Sequence, residues 1–228
     1  MATYDLEEQE QIAEIKAWWK QYGNLVAGIV TAVAVGFAAW QGWNWYQRSQ
    51  AAQAAQVYAA LQKAVTEKDA QRIKAASGEL FEKYSRTAYA PLAALLAARV
   101  LSDTGDAKTA KLQLLWVVEN GKDELRDLAR LRLASLLLDE KAYDDALRQL
   151  DAASGSAFAA RFQDIRGDIL SAQGKTSEAR VAYQAVLAKL DEADATGKGG
   201  ETLQDRRVHA AYRESVLQKL DALAGAHS

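Results

Sequence analysis

The chain has 228 residues, with 28 basic against 30 acidic side chains and a formal net charge of −2 at pH 7. A balance that close to neutral excludes nucleic acid held by a basic field as a partner. There is no cysteine and only one proline, Pro91; disulfides and thiolate metal centres are therefore absent, and the abundance of alanine and leucine favours helix over strand.

Residues 1–22 form an acidic segment, in which Asp5, Glu7, Glu8, Glu10 and Glu14 outnumber Lys16 and Lys20. From Leu6 to Tyr22 the apolar positions Ile12, Ile15, Trp18 or Trp19, and Tyr22 recur at helical spacing opposite Glu and Gln. Two readings are open. The segment is either an amphipathic helix lying in a membrane interface and turning into the bilayer near Gly23-Asn24, or a solvated acidic tail.

Between Lys20 and Arg48 no charged residue occurs. This predicts a transmembrane helix over residues 23–47, because a run of roughly 20 apolar residues spans the hydrocarbon of a bilayer. Trp18, Trp19 and Tyr22 stand before the run, and Trp40, Trp43, Trp45 and Tyr46 stand at its far end. A helix from Trp19 to Trp43 rises roughly 36 Å, which puts one aromatic cluster at each headgroup level. A cleaved signal peptide is disfavoured, since the leading segment is acidic and bulky tryptophans occupy the zone where cleavage needs small residues. Charge counting gives orientation only a slight lean toward an inside N-terminus: Lys16 and Lys20 precede the span, and Arg48 then Lys63 follow it. Gly28, Ala32 and Gly36 fall at i, i+4 and i+8. They make a smooth stripe, either a docking face for a second membrane helix or ordinary small-residue usage.

Residues 48–228 read as an all-α, tetratricopeptide-like array of helical hairpins. Ala98, Ala134 and Gly167 are each followed twelve positions later by alanine (Ala110, Ala146, Ala179) and four later by Leu114, Leu150 or Tyr183. Successive copies are offset by roughly 33 to 36 residues, the period of tetratricopeptide arrays. Small residues sit where paired helices cross, and large ones fill the gap to the next pair. One helix is predicted to run on from the membrane to about Thr66, and a second covers about Ala70 to Tyr84. Three pairs follow, over Tyr89 to Asn120, Asp123 to Ala153 and Phe158 to Asp191. Turns lie at Thr104-Gly105-Asp106, Glu140-Lys141-Ala142-Tyr143 and Gln173-Gly174-Lys175. Asp194 to Thr202, with Gly197, Gly199 and Gly200, reads as a loop. Leu203 to Leu223 is an amphipathic helix that caps the open end of the core.

No catalytic constellation emerges. The two histidines, His209 and His227, lack partners at metal-ligand spacing, and neither HExxH, a phosphate loop nor GxSxG occurs. No cofactor is expected. Asp144-Asp145 and Asp164/Asp168 read as solvated or salt-bridged faces; an acid–base role would need one of them buried with a raised pKa. Trp116, with Leu112, Leu114, Leu115 and Val118 around it, reads as core rather than ligand anchor. Arg126, Arg130 and Arg132 are interleaved with Asp123, Glu124 and Asp127 and read as a salt-bridged face. What remains is a surface. The first helices of such pairs line a concave groove, here expected to comprise Leu95, Arg99, Leu131, Ser135, Leu138, Arg161, Asp164, Asp168 and Ser171, suited to polypeptide.

The chain order is distinctive: an acidic stretch, then Ile15-Lys16-Ala-Trp18-Trp19-Lys20-x-Tyr22-Gly23-Asn24, one span ending in Gly42-Trp43-x-Trp45, then alanine-rich hairpins. With Leu131-Arg-Leu-Ala134 and Asp164-Ile-Arg-Gly167-Asp-Ile-Leu-x-x-x-Gly174, it resembles the YfgM family, ancillary subunits of the bacterial SecYEG translocon. The resemblance implies an inner-membrane protein with a cytoplasmic N-terminus and a periplasmic helical domain. It implies binding to SecYEG and to PpiD, a membrane-anchored chaperone, and transfer of emerging client polypeptides to periplasmic chaperones. A cytoplasmic response regulator is a further implied partner, and no catalytic residue is implied. The rival reading of the same architecture is a scaffold of another cell-envelope complex.

Overall fold

The computed structural model describes residues 4–152, 158–196 and 202–225. The chain divides into two compact units, Met1–Gln53 and Ala54–Ser228. Among the described residues every regular element is an α-helix.

The first unit belongs to α1 (Tyr4–Thr66). The turn expected near Gly23-Asn24 does not form, and the helix continues through both residues. One glycine costs about 1 kcal/mol in a helix, too little to break a long run of good helix formers. Gly23 instead makes room for the Trp19 indole, whose Nε1 lies 3.1 Å from where a Cβ would stand. Among the described residues α1 carries the one stretch long and apolar enough to cross a membrane, with mean hydropathy 1.7.

The second unit holds the end of α1 and then α2 (Ala70–Tyr84), α3 (Tyr89–Asp103), α4 (Ala107–Asn120), α5 (Asp123–Asp139), α6 (Tyr143–Asp151), α7 (Ala159–Ala172), α8 (Thr176–Ala195) and α9 (Leu203–Gly225). The hairpins share one turn. Lys68, Gly105, Lys141 and Gly174 all sit in the left-handed region, at φ 55°, 86°, 59° and 75°. In each case the next residue's N–H reaches back across the helix end: Asp69 to Ala64 O, Asp106 to Leu101 O, Ala142 to Leu137 O and Lys175 to Leu170 O, at 2.8–3.0 Å. That pair of features is the Schellman ending, which satisfies carbonyls the helix leaves unpaired. The end of α1 and α2 therefore form a hairpin of the same kind as the three pairs that follow.

The repeat positions carry the packing. Ala98, Ala134 and Gly167, their partners Ala110, Ala146 and Ala179, and the fillers Leu114, Leu150 and Tyr183 are all buried. At Gly167 the approach of α7 and α8 is closest: a Cβ there would lie 2.4 Å from the Tyr183 ring. A main core runs from Ala54 to Ile169, and a second gathers Leu170, Tyr183, Val186 and Leu190 with Val216 and Leu223 of α9. α9 thus closes the end of the array. Trp116 is half-buried and stacks on Phe81 of α2, centroids 4.7 Å apart, so it packs between hairpins. α8 continues to Ala195, so Asp194 is helical and not part of a loop. Helix formers from Leu187 to Ala195 carry it past Asp191. Gly197, Gly199 and Gly200, like Ala153 and His227, lie outside the described residues.

Candidate functional site

Three surfaces follow from this frame. On α1 the tryptophans and tyrosines named from sequence are exposed and gather in two groups. Trp18 lies 6.3 Å from Trp19 and 5.8 Å from Tyr22 between ring centroids, and Trp43 lies 6.1 Å from Tyr46. Trp40 stacks obliquely on Phe37, and Trp45 is exposed. Spacings of three and four residues on one helix produce the Trp18–Tyr22, Phe37–Trp40 and Trp43–Tyr46 contacts, and Trp18 and Trp19 are neighbours in the chain. Gly28, Ala32 and Gly36 are exposed, and a Cβ at either glycine would meet nothing within 4 Å. A second helix could approach that line closely.

The residues expected to line one continuous groove separate into three groups. Leu95 is buried in the main core, while Leu131 and Leu138 are half-buried against it; one helical position more or less moves a side chain by about 100°. Arg161, Asp164 and Asp168 meet α9. Lys219 Nζ donates to Asp164 Oδ1 at 2.7 Å and to Asp168 at 2.7 and 2.9 Å. Tyr183 donates its hydroxyl to Asp168 Oδ1 at 2.7 Å, and the Arg161 guanidinium lies 3.8 Å above the Tyr212 ring. Burial lowers the Lys219 ammonium, but its hydrogen bonds to the two carboxylates outweigh this and raise its pKa. Burial, helped by the same carboxylates, also pushes the Tyr183 and Tyr212 hydroxyls upward. Asp164 and Asp168 are therefore a lock on α9, covered rather than open, and Ser171 is half-buried beyond them.

Arg99 and Ser135 line a cavity of about 330 Å³ between α3 and α5, floored by Ala98 and Leu114. Arg132, Asp103 and Asp139 complete its walls. Arg132 Nη1 donates to Leu95 O at 2.9 Å; burial and the neighbouring Arg99 charge lower its pKa. This corrects the salt-bridged face. Arg130 meets Asp127 at 3.7 Å, but Arg126 donates to Gly121 O and Arg132 to Leu95 O, because buried helix ends and neighbouring helices offer carbonyls nearer than the interleaved acids. Sequence reading missed Asp103 and Asp139. Their signal was present: each is the last residue of its helix, and they stand one repeat apart. Among the described residues no group of three His, Cys, Asp or Glu side chains could hold a metal ion.

A family model described as a tetratricopeptide repeat-like domain matches residues 16–224. A protein of Neisseria gonorrhoeae named "Ancillary SecYEG translocon subunit" is 32% identical over 223 residues, 96% of this chain and 98% of its own length. The chain belongs to that family. Members of the same name from Haemophilus influenzae and Escherichia coli are 30% and 31% identical, over 80% and 78% of this chain and 89% and 86% of their own lengths. A solved structure, "MamA RS-1 ArsTM double mutant", covers 77% of this chain and 96% of its own at 18% identity and a TM-score of 0.48. The relatives are named as ancillary subunits, and the hairpin fold agrees with the tetratricopeptide repeat-like family model. The apolar helix of α1 fits a single-pass inner-membrane member of the family.

Proposed function

We propose that the chain is a membrane-tethered accessory subunit of a Sec translocon that holds other proteins and performs no chemistry. Its regions are an acidic cytoplasmic segment (1–22), a transmembrane helix (23–47) and a periplasmic hairpin array (48–228). The observation that carries the reading is full-length similarity to relatives named as translocon subunits, spanning both the apolar helix and the array. The Gly28, Ala32 and Gly36 stripe supplies the contact with the translocon, and the aromatic groups around Trp18 and Trp43 fix the depth of the span in membrane lipid.

The array receives emerging client polypeptide and passes it to periplasmic chaperones, a PpiD-like membrane-anchored partner among them. Tethering supports this division of labour. A groove held beside an exit site works at an effective concentration on the order of millimolar, so weak contacts suffice. The acidic segment is left to face cytoplasmic partners, a response regulator being one. A photo-crosslinker at Ala32 in native membranes tests the reading. Adducts with translocon subunits or a membrane-anchored chaperone are expected; adducts with unrelated proteins alone would contradict it. A reporter fused behind the C-terminus, active only outside the cytoplasm, tests the orientation.

A further inference from the structure

The cavity between α3 and α5 is set apart by charge. Elsewhere in the array, cations and carboxylates on neighbouring helices meet in ion pairs, such as Lys74 with Asp106, Lys111 with Glu140 and Arg166 with Asp151. Around this cavity no such pair forms. Arg99, Asp103 and Asp139 make no hydrogen bond or ion pair among the described residues, and Arg132 meets only a backbone carbonyl. The charges are also sorted. Arg99 lies one turn before Asp103 on α3, and Arg132 lies two turns before Asp139 on α5. Each wall therefore runs from a guanidinium to a carboxylate toward the end of its helix. Arg99 and Arg132 are close enough for one to depress the other's pKa, so an anion between them would relieve repulsion as well as gain charge-assisted bonds.

We propose that this cavity binds an extended polypeptide segment carrying an acidic and a basic side chain two residues apart, the acid between Arg99 and Arg132 and the base between Asp103 and Asp139. The two poles are separated by four residues along α3 and seven along α5, roughly 6 Å and roughly 10 Å. In an extended chain, side chains two residues apart project to the same side about 6.5–7 Å from one another. A helical ligand would need its acid and base four residues apart to reach the same poles, because its i and i+2 side chains diverge. The apolar floor of Ala98 and Leu114 accepts the aliphatic stems of the two charged side chains. The inference rests on the reading that the array holds polypeptide, and it names which segments are held.

The test uses the full-length protein in nanodiscs and fluorescein-labelled eight-residue peptides rich in threonine and valine. One peptide carries Glu-x-Lys, and the others carry Glu-x-Glu, Lys-x-Lys or Ser-x-Ser at the same positions. Fluorescence anisotropy should show saturable binding of the Glu-x-Lys peptide, about tenfold tighter than the Ser-x-Ser peptide. Arg99→Glu should abolish that preference and improve binding of the Lys-x-Lys peptide, while Asp139→Lys should improve binding of the Glu-x-Glu peptide. Arg99 and Asp139 are exposed, so both variants keep the fold, which circular dichroism checks. Equal binding of all four peptides, indifference to both charge reversals, or no saturable binding would overturn the proposal. Crosslinking of Ala32 to the translocon reads the broader function separately. Its loss with peptide binding intact sinks that reading alone, and the converse sinks this one.

Discussion

Lys141 occupies the turn position that Gly105 and Gly174 fill in the neighbouring hairpins, and it holds the same left-handed φ. A side chain there costs about 1 kcal/mol that glycine avoids. Lys141→Gly should therefore stabilise the protein by about 1 kcal/mol, read as a higher thermal midpoint in detergent. Asp106 illustrates the opposite case, a residue that fits its turn well. Its carboxylate accepts from Lys74 Nζ and from the Thr109 N–H, which together lower its pKa from 3.8 to about 2. A folded-state pKa below the unfolded one gives stability that is present above about pH 4 and lost as pH falls toward 2. Asp106→Asn keeps the helix cap but cannot titrate. Acid unfolding of the variant should lack the component between those pH values that the parent shows.

At the scale of elements, the alanines and glycines at twelve-residue spacing told where helices cross, and the structure buries all of them. Sequence also marked the turns, because glycine or lysine with flanking polar residues interrupts the periodicity. Two features were not legible. A helix face is only as certain as its register, so Leu95 went to the core and Asp164 and Asp168 went under α9. The break expected at Gly23-Asn24 did not appear, because local propensity on either side outweighs a single glycine. α9 is attached by the second apolar core and by a polar lock: Lys219 bridges Asp164 and Asp168 beside Tyr183 and Tyr212. Removing Lys219 leaves Asp164, 6% exposed, without its cation. Lys219→Ala should cost about 2 kcal/mol, at the low end for a paired carboxylate because the lysine is partly in water. Hydrogen exchange should speed up in α9 and little elsewhere. Lys219, Tyr183 and Tyr212 all have raised pKa values. The stability they give is present below about pH 10 and is lost as pH rises past it. Alkaline exchange should therefore open α9 before α3–α6.

At the scale of the molecule, one chain joins an apolar helix to a stack of hairpins, and the two ends of the argument differ in kind. The apolar run and its aromatic flanks were evident from residue types alone, since length and charge decide whether a segment suits hydrocarbon. The surface proposed to hold polypeptide was legible only as an architecture. Which part of the surface lined by the first helices stays open depends on where α9 lies and on which charges are left without partners, and both are properties of the folded array. The account's central claim is that this open part meets polypeptide as it leaves the translocon. The most direct measurement places a photo-crosslinker at Ser135, in the wall of the α3–α5 cavity, in membrane vesicles holding a translocating chain stalled midway. The account predicts an adduct between Ser135 and the stalled chain that disappears when residues 23–47 are replaced by an unrelated span. Absence of that adduct in vesicles where Ala32 still crosslinks to the translocon would contradict it.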